Sequence, residues 1–150
     1  MVLYFYVELQ DKTKIPVDCT EFHCNNNNLT ELPELPNSLE ILWCQNNNLT
    51  ELPVLPDTLE ILWCIDNNLT ELPELPDSLL ELWCCYNKLT ELPELPISLK
   101  KIWCSNNNIK YLSPNNCEVI KKCHEIKVLN NPFCTGFTSD KNFKEYLMNI

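Results

Sequence analysis

The chain contains one glycine, Gly136, so it has no glycine-rich loop that could wrap a phosphate. It also has no apolar run near the ~18 residues needed to cross a bilayer. Its opening residues, MVLYFYVELQDK, have no basic segment before the apolar stretch and no small-residue cleavage site after it. They read as structure rather than as a signal peptide, and an intracellular location is expected. Positive charge is scarce: the formal net charge is −10, which argues against nucleic acid or an anionic membrane as a general partner. The scarcity is uneven. Residues 1–97 hold 17 acids and 3 lysines, and residues 98–150 hold 4 acids and 8 lysines, so a body of net −14 meets an end of net +4. Side chains for catalysis are missing as well. No Ser/His/Asp or Cys/His constellation recurs at a consistent phase and no two carboxylates are set in a cleft, so no enzyme is expected.

What the chain has instead is a period. Cys24, Cys44, Cys64, Cys84 and Cys104 are spaced by 20 residues, as are Asn27, Asn47, Asn67, Asn87 and Asn107. Leu29, Leu49, Leu69, Leu89 and Ile109 keep the same interval, and so do Pro36, Pro56, Pro76 and Pro96. Each unit reads L-x-x-L-x-C-x-x-N-x-L followed by T-E-L-P-x-L-P. Strict self-similarity at this interval is the mark of a solenoid, in which each unit buries its apolar side against the next.

This skeleton is identified as a leucine-rich repeat with cysteine in the third apolar slot. It resembles the 20-residue repeats of the bacterial YopM and IpaH effectors, and also those of giant-DNA-virus (mimivirus-like) leucine-rich-repeat proteins. The resemblance implies a solenoid with a parallel β-sheet on its concave face and a protein partner. For a viral protein it would also imply the host cytoplasm. IpaH-type effectors carry a ubiquitin-ligase domain; no stretch of this chain is long enough to be one, so that activity is not carried over. One domain is expected over 1–150: a cap strand in 1–11, about six repeats in 12–133, and a cap helix in 134–150. The last repeat is longer by four residues, which fall in SPNNCEVIKKC. Ser113 as N-cap and Pro114 at the first helical position predict a short helix there.

The physics of a strand assigns the positions. Side chains alternate between faces, so Leu42 and Cys44 point into the coil while Trp43 points out. Leu39, Leu49, Leu52 and Leu55 complete the interior. Asn47 and its equivalents occupy the bend after the strand, where their amides can satisfy backbone groups. Two prolines per unit rule out a helix on the return path and predict an extended, polyproline-like segment.

The cysteine row reads as a ladder of small buried hydrophobes rather than a metal site, because metal ligands must converge on one point. No metal and no cofactor are expected. The less regular Cys117, Cys123, His124 and Cys134 leave a zinc cluster or a cap disulfide open, although Cys123 already fills a core slot. Cys85 is in phase with Trp83 and is expected to be the one exposed strand thiol. The Asn-Leu-Thr sequons at Asn28, Asn48 and Asn68 come with the repeat, so they say little about glycosylation.

The tryptophans carry the functional reading. Trp43, Trp63, Trp83 and Trp103 are expected in one row on the concave face. Ile41, Ile61, Ile65, Glu81 and Lys101 share that face, and His23 lies at the end of the row. Stacked indoles stabilise a sheet by about 0.5–1.5 kcal/mol per pair. Four indoles and three isoleucines also approach the apolar patch size that soluble monomers tolerate, and tryptophan is enriched at binding hot spots. The reading is a non-catalytic scaffold holding a protein or peptide partner, with the tryptophans as anchors and Glu81 and Lys101 at the rim. A homodimer through the same face, a host-directed effector and a purely structural ladder remain as alternatives. On this reading Trp63→Ala and Trp83→Ala weaken partner capture and leave thermal stability nearly intact.

Overall fold

The computed structural model describes residues 2–5 and 14–150. Its strands are three residues long, and β2 to β6 follow the period: β1 (Leu3–Phe5), β2 (Glu21–His23), β3 (Ile41–Trp43), β4 (Ile61–Trp63), β5 (Glu81–Trp83), β6 (Lys101–Trp103) and β7 (Glu125–Lys127). Among the described residues they form one parallel sheet in sequence order. The register is in phase with the repeat: Leu42 pairs with Leu62, and Trp43 with Trp63. The chain is therefore a β-solenoid of about six turns. A three-residue strand is too short to be stable alone. Stacking identical units supplies what each one lacks.

The interior is what the alternation demands. Leu39, Leu42, Cys44 and Leu49 are fully buried, and Leu52 and Leu55 nearly so. Return paths such as 51–56 contain neither helix nor strand. The coils before the last are closed by a tight turn after Pro16, Pro36, Pro56, Pro76 and Pro96, as where the Leu59 N–H donates to the Pro56 carbonyl at 3.0 Å.

Two side-chain ladders tie coil to coil. Asn67 Nδ2 donates to the carbonyls of Cys44 (3.0 Å) and Cys64 (3.2 Å), while its Oδ1 accepts from the Leu49 N–H at 3.0 Å. Asn47, Asn87 and Asn107 each donate to cysteine carbonyls of their own and the preceding coil in the same way. The second ladder has one hydroxyl per coil. Ser38, Thr58, Ser78 and Ser98 donate to the carbonyls of Cys19, Leu39, Leu59 and Leu79 at 2.6–2.8 Å. It satisfies carbonyls at the turn into the strand, the side opposite the asparagines.

The C-terminal end is closed. Helix α1 (Pro114–Lys122) starts where Ser113–Pro114 predicts, and the Ser113 hydroxyl accepts from the Asn116 N–H at 3.1 Å. Helix α2 (Asp140–Met148) buries Phe143 and Leu147 over the last coil. Asp140 Oδ1 accepts the N–H groups of Val128 (2.7 Å) and Leu129 (3.3 Å). These are donors that an added strand would otherwise find. At the other end, the segment expected as a cap strand contributes β1, paired to β2; Tyr6 and the residues through 13 lie outside the described residues.

Candidate functional site

Strands β3 to β6 each show the burial pattern partly exposed, buried, partly exposed, and in β2 the first residue, Glu21, is buried as well. The middle residue enters the core, and its two neighbours form two parallel rows on the concave face. The first row runs Glu21, Ile41, Ile61, Glu81, Lys101. The second runs His23, Trp43, Trp63, Trp83, Trp103. Ile65 lies two residues beyond Trp63 and is partly exposed. Nine of the ten residues singled out in the sequence are brought to this one face by the strand register, and Ile65 lies just past the end of its strand.

The second row is a continuous stack. His23 lies on Trp43 with centroids 4.1 Å apart and planes 6° apart, and Trp43 lies on Trp63 at 4.6 Å and 4°. Trp63–Trp83 and Trp83–Trp103 stack at 4.4 and 4.0 Å but are tilted by 27° and 24°. The tilt accompanies a tether: Trp83 Nε1 donates to Glu81 Oε2 at 3.2 Å, and Glu81 Oε1 also pairs with Lys101 at 2.8 Å. That carboxylate pushes the pKa of the Lys101 ammonium up. His23 Nε2 stands 2.7 Å from Glu21 Oε1, and Phe5 meets the imidazole edge-on at 5.0 Å.

The indole nitrogens give the face its chemistry. Nε1 of Trp43, Trp63 and Trp103 is covered and has no hydrogen-bond partner. An uncompensated buried donor costs about 1–3 kcal/mol. Because these nitrogens are sealed while the residues stay partly exposed, the ring surface they offer is carbon. The usual polar handle of tryptophan is withheld, so a ligand here meets an apolar ridge. The stacking also changes one expectation. Trp63 and Trp83 each lie in two stacks, so truncating either one costs stability as well as surface.

Cys85 departs from the sequence reading. It is 4% exposed and hydrogen-bonded to Ser105 Oγ at 3.2 Å, and burial raises its pKa. The strand ends at Trp83, so phase counted from the tryptophan no longer fixes orientation two residues on. The ladder thiols are fully buried, and burial pushes Cys24 and Cys64 up to about 12. All ten cysteines are free. Cys123 and Cys134 are buried in the last coil, while Cys117 on α1 is partly exposed. Among the described residues no group of three or more His, Cys, Asp or Glu could hold a metal ion, and no helix is long and apolar enough to cross a membrane.

Sequence reasoning missed Tyr86. Asn26, Asn46, Asp66, Tyr86 and Asn106 occupy the same left-handed bend, with φ between 55° and 59°. Asparagine and aspartate tolerate this region; an aromatic residue there costs roughly 1–2 kcal/mol. Tyr86 is also 59% exposed, beside the exit edge of the sheet, and strained backbone clusters at functional positions. The break in the Asn/Asp column was the available signal. Tyr86→Asn is expected to stabilise the fold by about 1 kcal/mol, raising Tm by roughly 2–4 °C in a calorimetric scan.

One strand, one asparagine bend and one proline-bounded return per 20 residues define a leucine-rich-repeat solenoid. The fold and sequence are similar to YopM from Yersinia enterocolitica WA-314, with TM-score 0.74 and 35% identity over 79% of this chain and 25% of that one. They are also similar to a Shigella effector leucine-rich-repeat domain, with TM-score 0.72 and 33% identity over 90% of this chain and 68% of that one. The chain belongs to the leucine-rich-repeat family, in the effector-type class with 20-residue repeats. It spans a quarter of the length of the YopM chain it matches. No family model and no curated protein matches the sequence.

Proposed function

We propose that the chain is a non-catalytic scaffold that holds a protein or peptide partner on its concave sheet. Trp43, Trp63, Trp83 and Trp103 are the anchors, flanked by Ile41, Ile61 and Ile65, with Glu81, Lys101 and His23 at the rim. The observation that carries this reading is the covered nitrogen edge of the indole stack, which leaves a carbon ridge along consecutive strands. Membership in an effector-type repeat family supports an interaction scaffold and gives no partner identity.

The test is a peptide selected on the protein from an unbiased library, with affinity measured on two variants. Trp63→Ala is expected to lower affinity by roughly 30-fold, the ~2 kcal/mol of a hot-spot residue. It should also lower stability by about 1–3 kcal/mol through its two lost stacks. Ile61→Ser, which leaves the stack whole, should lower affinity roughly tenfold with a much smaller change in Tm. Selected peptides that bind both variants as tightly as the parent protein would sink the reading.

A further inference from the structure

We infer that the occupant of the concave face is a cationic amphipathic segment of a protein, with apolar side chains at its centre and lysines or arginines beside them. This rests on the concave-face reading above and adds the chemistry of the partner. Both rows of the face are apolar together only on β3 and β4, where Ile41 and Ile61 lie beside Trp43 and Trp63, with Ile65 just past the end of β4. On β5 and β6 the tryptophans stand beside Glu81 and Lys101. With strands about 4.8 Å apart, the apolar zone on β3 and β4 takes one or two apolar side chains across the strands.

Carboxylates surround this zone. Glu40 and Glu60 immediately precede the two strands at the entry edge, and both are exposed. Asp66 is exposed at the exit edge. Glu21 and Glu81 close the two sides along the first row. Glu21 is held by His23, and Glu81 by Lys101 and Trp83. Glu40, Glu60 and Asp66, by contrast, enter none of the ion pairs among the described residues. No lysine occurs between Lys14 and Lys88, so the coils that carry the apolar zone have no cation of their own. The Glu60 and Ile61 N–H groups donate to the Glu40 carbonyl at 2.8 and 3.1 Å, which stacks Glu40 and Glu60 on adjacent coils, where like charges repel. One ammonium or guanidinium between them relieves that repulsion.

Complementary potentials of this kind set specificity and association rate more than raw affinity. They also disfavour the other occupants. A second copy of the chain would bring the same carboxylates to the same zone, and a polyanion would be repelled by it. On the C-terminal side, the change of sign at Lys101 and Lys127 limits where the partner's cations can lie, which orients the segment along the sheet.

The test uses three fluorescein-labelled peptides with one apolar core, flanked by lysine, serine or glutamate. Anisotropy is measured at about 50 and about 300 mM salt. The lysine-flanked peptide is expected to bind at least tenfold more tightly than the serine-flanked one, with the glutamate-flanked peptide weakest. The advantage should shrink at the higher salt. In a Glu40→Gln/Glu60→Gln double variant it should fall severalfold, while the serine-flanked peptide keeps its affinity. Equal binding of all three peptides, lost in Trp63→Ala, would overturn the cationic partner and leave the concave face standing. Binding of none, together with no library-selected ligand for the face, would overturn both. A dimer in sedimentation that Trp63→Ala dissolves would give the face to a second copy and overturn the inference.

Discussion

Raising the pH is expected to unfold the protein cooperatively at about pH 10. Burial pushes the thiols of Cys19 and Cys123 up to about 11, and those of Cys24, Cys64 and Cys134 up to about 12. Their ordinary value is 9.0. A group whose folded pKa lies above its unfolded one stabilises the fold fully below the unfolded value, and that contribution drains away as pH rises toward the folded value. One unit above 9.0, each of these thiols withdraws about 1.4 kcal/mol, since the unfolded chain ionises and the folded one does not. Five such groups withdraw about 7 kcal/mol, comparable to the whole stability of a typical domain. Cys44, Cys84 and Cys104 are shifted in the same direction, again mainly by burial. The transition should therefore be steep, because several protons are released together on unfolding. Circular dichroism against pH in the presence of reductant checks it. A native spectrum at pH 11 would show that the thiol ladder does not govern alkaline stability.

Asn67→Ala is expected to destabilise the protein by about 2–4 kcal/mol. The Leu49 N–H loses the Asn67 oxygen, and an orphaned buried amide costs about 1–3 kcal/mol. The carbonyls of Cys44 and Cys64 lose one donor each but keep another, from Asn47 and Asn87, so their loss is smaller. For a chain of this size the change lowers Tm by roughly 4–16 °C. Asn68→Ala, one residue on and partly exposed, is the control and should leave Tm nearly unchanged. Equal shifts in the two variants would mean that the asparagine ladder is not what couples the coils.

The fold was legible because the sequence states each position five times. A period of 20 with leucines in fixed phase leaves one arrangement in which every unit buries its apolar side, and the sheet register follows. Ser113–Pro114 marked α1 through local backbone chemistry alone. The side of the sheet that each tryptophan takes was legible for the same reason: Leu42, Trp43 and Cys44 must alternate. What could not be read was anything depending on where a strand stops or how a ring turns about its own bonds. Cys85 lies just past a three-residue strand, so its phase carried no information about burial. The sealed indole nitrogens are set by neighbours on other coils, and the tilt of Trp83 accompanies its bond to Glu81 two residues earlier; neither leaves a periodic trace. The hydroxyl ladder of Ser38, Thr58, Ser78 and Ser98 was present in the period, but it took the carbonyls opposite to give those residues a role. Tyr86 was a visible interruption whose meaning came only with its backbone angle.

The most direct measurement is the two-dimensional amide spectrum of the protein in its indole N–H region, titrated with a library-selected peptide. Each tryptophan contributes one resonance, and single substitutions assign the four. If the carbon ridge is the docking surface, the resonances of Trp43 and Trp63 shift most, and amides on the proline-bounded return paths, such as Leu52 and Leu72, stay in place. A peptide that saturates the protein while all four indole resonances stand still would contradict the account.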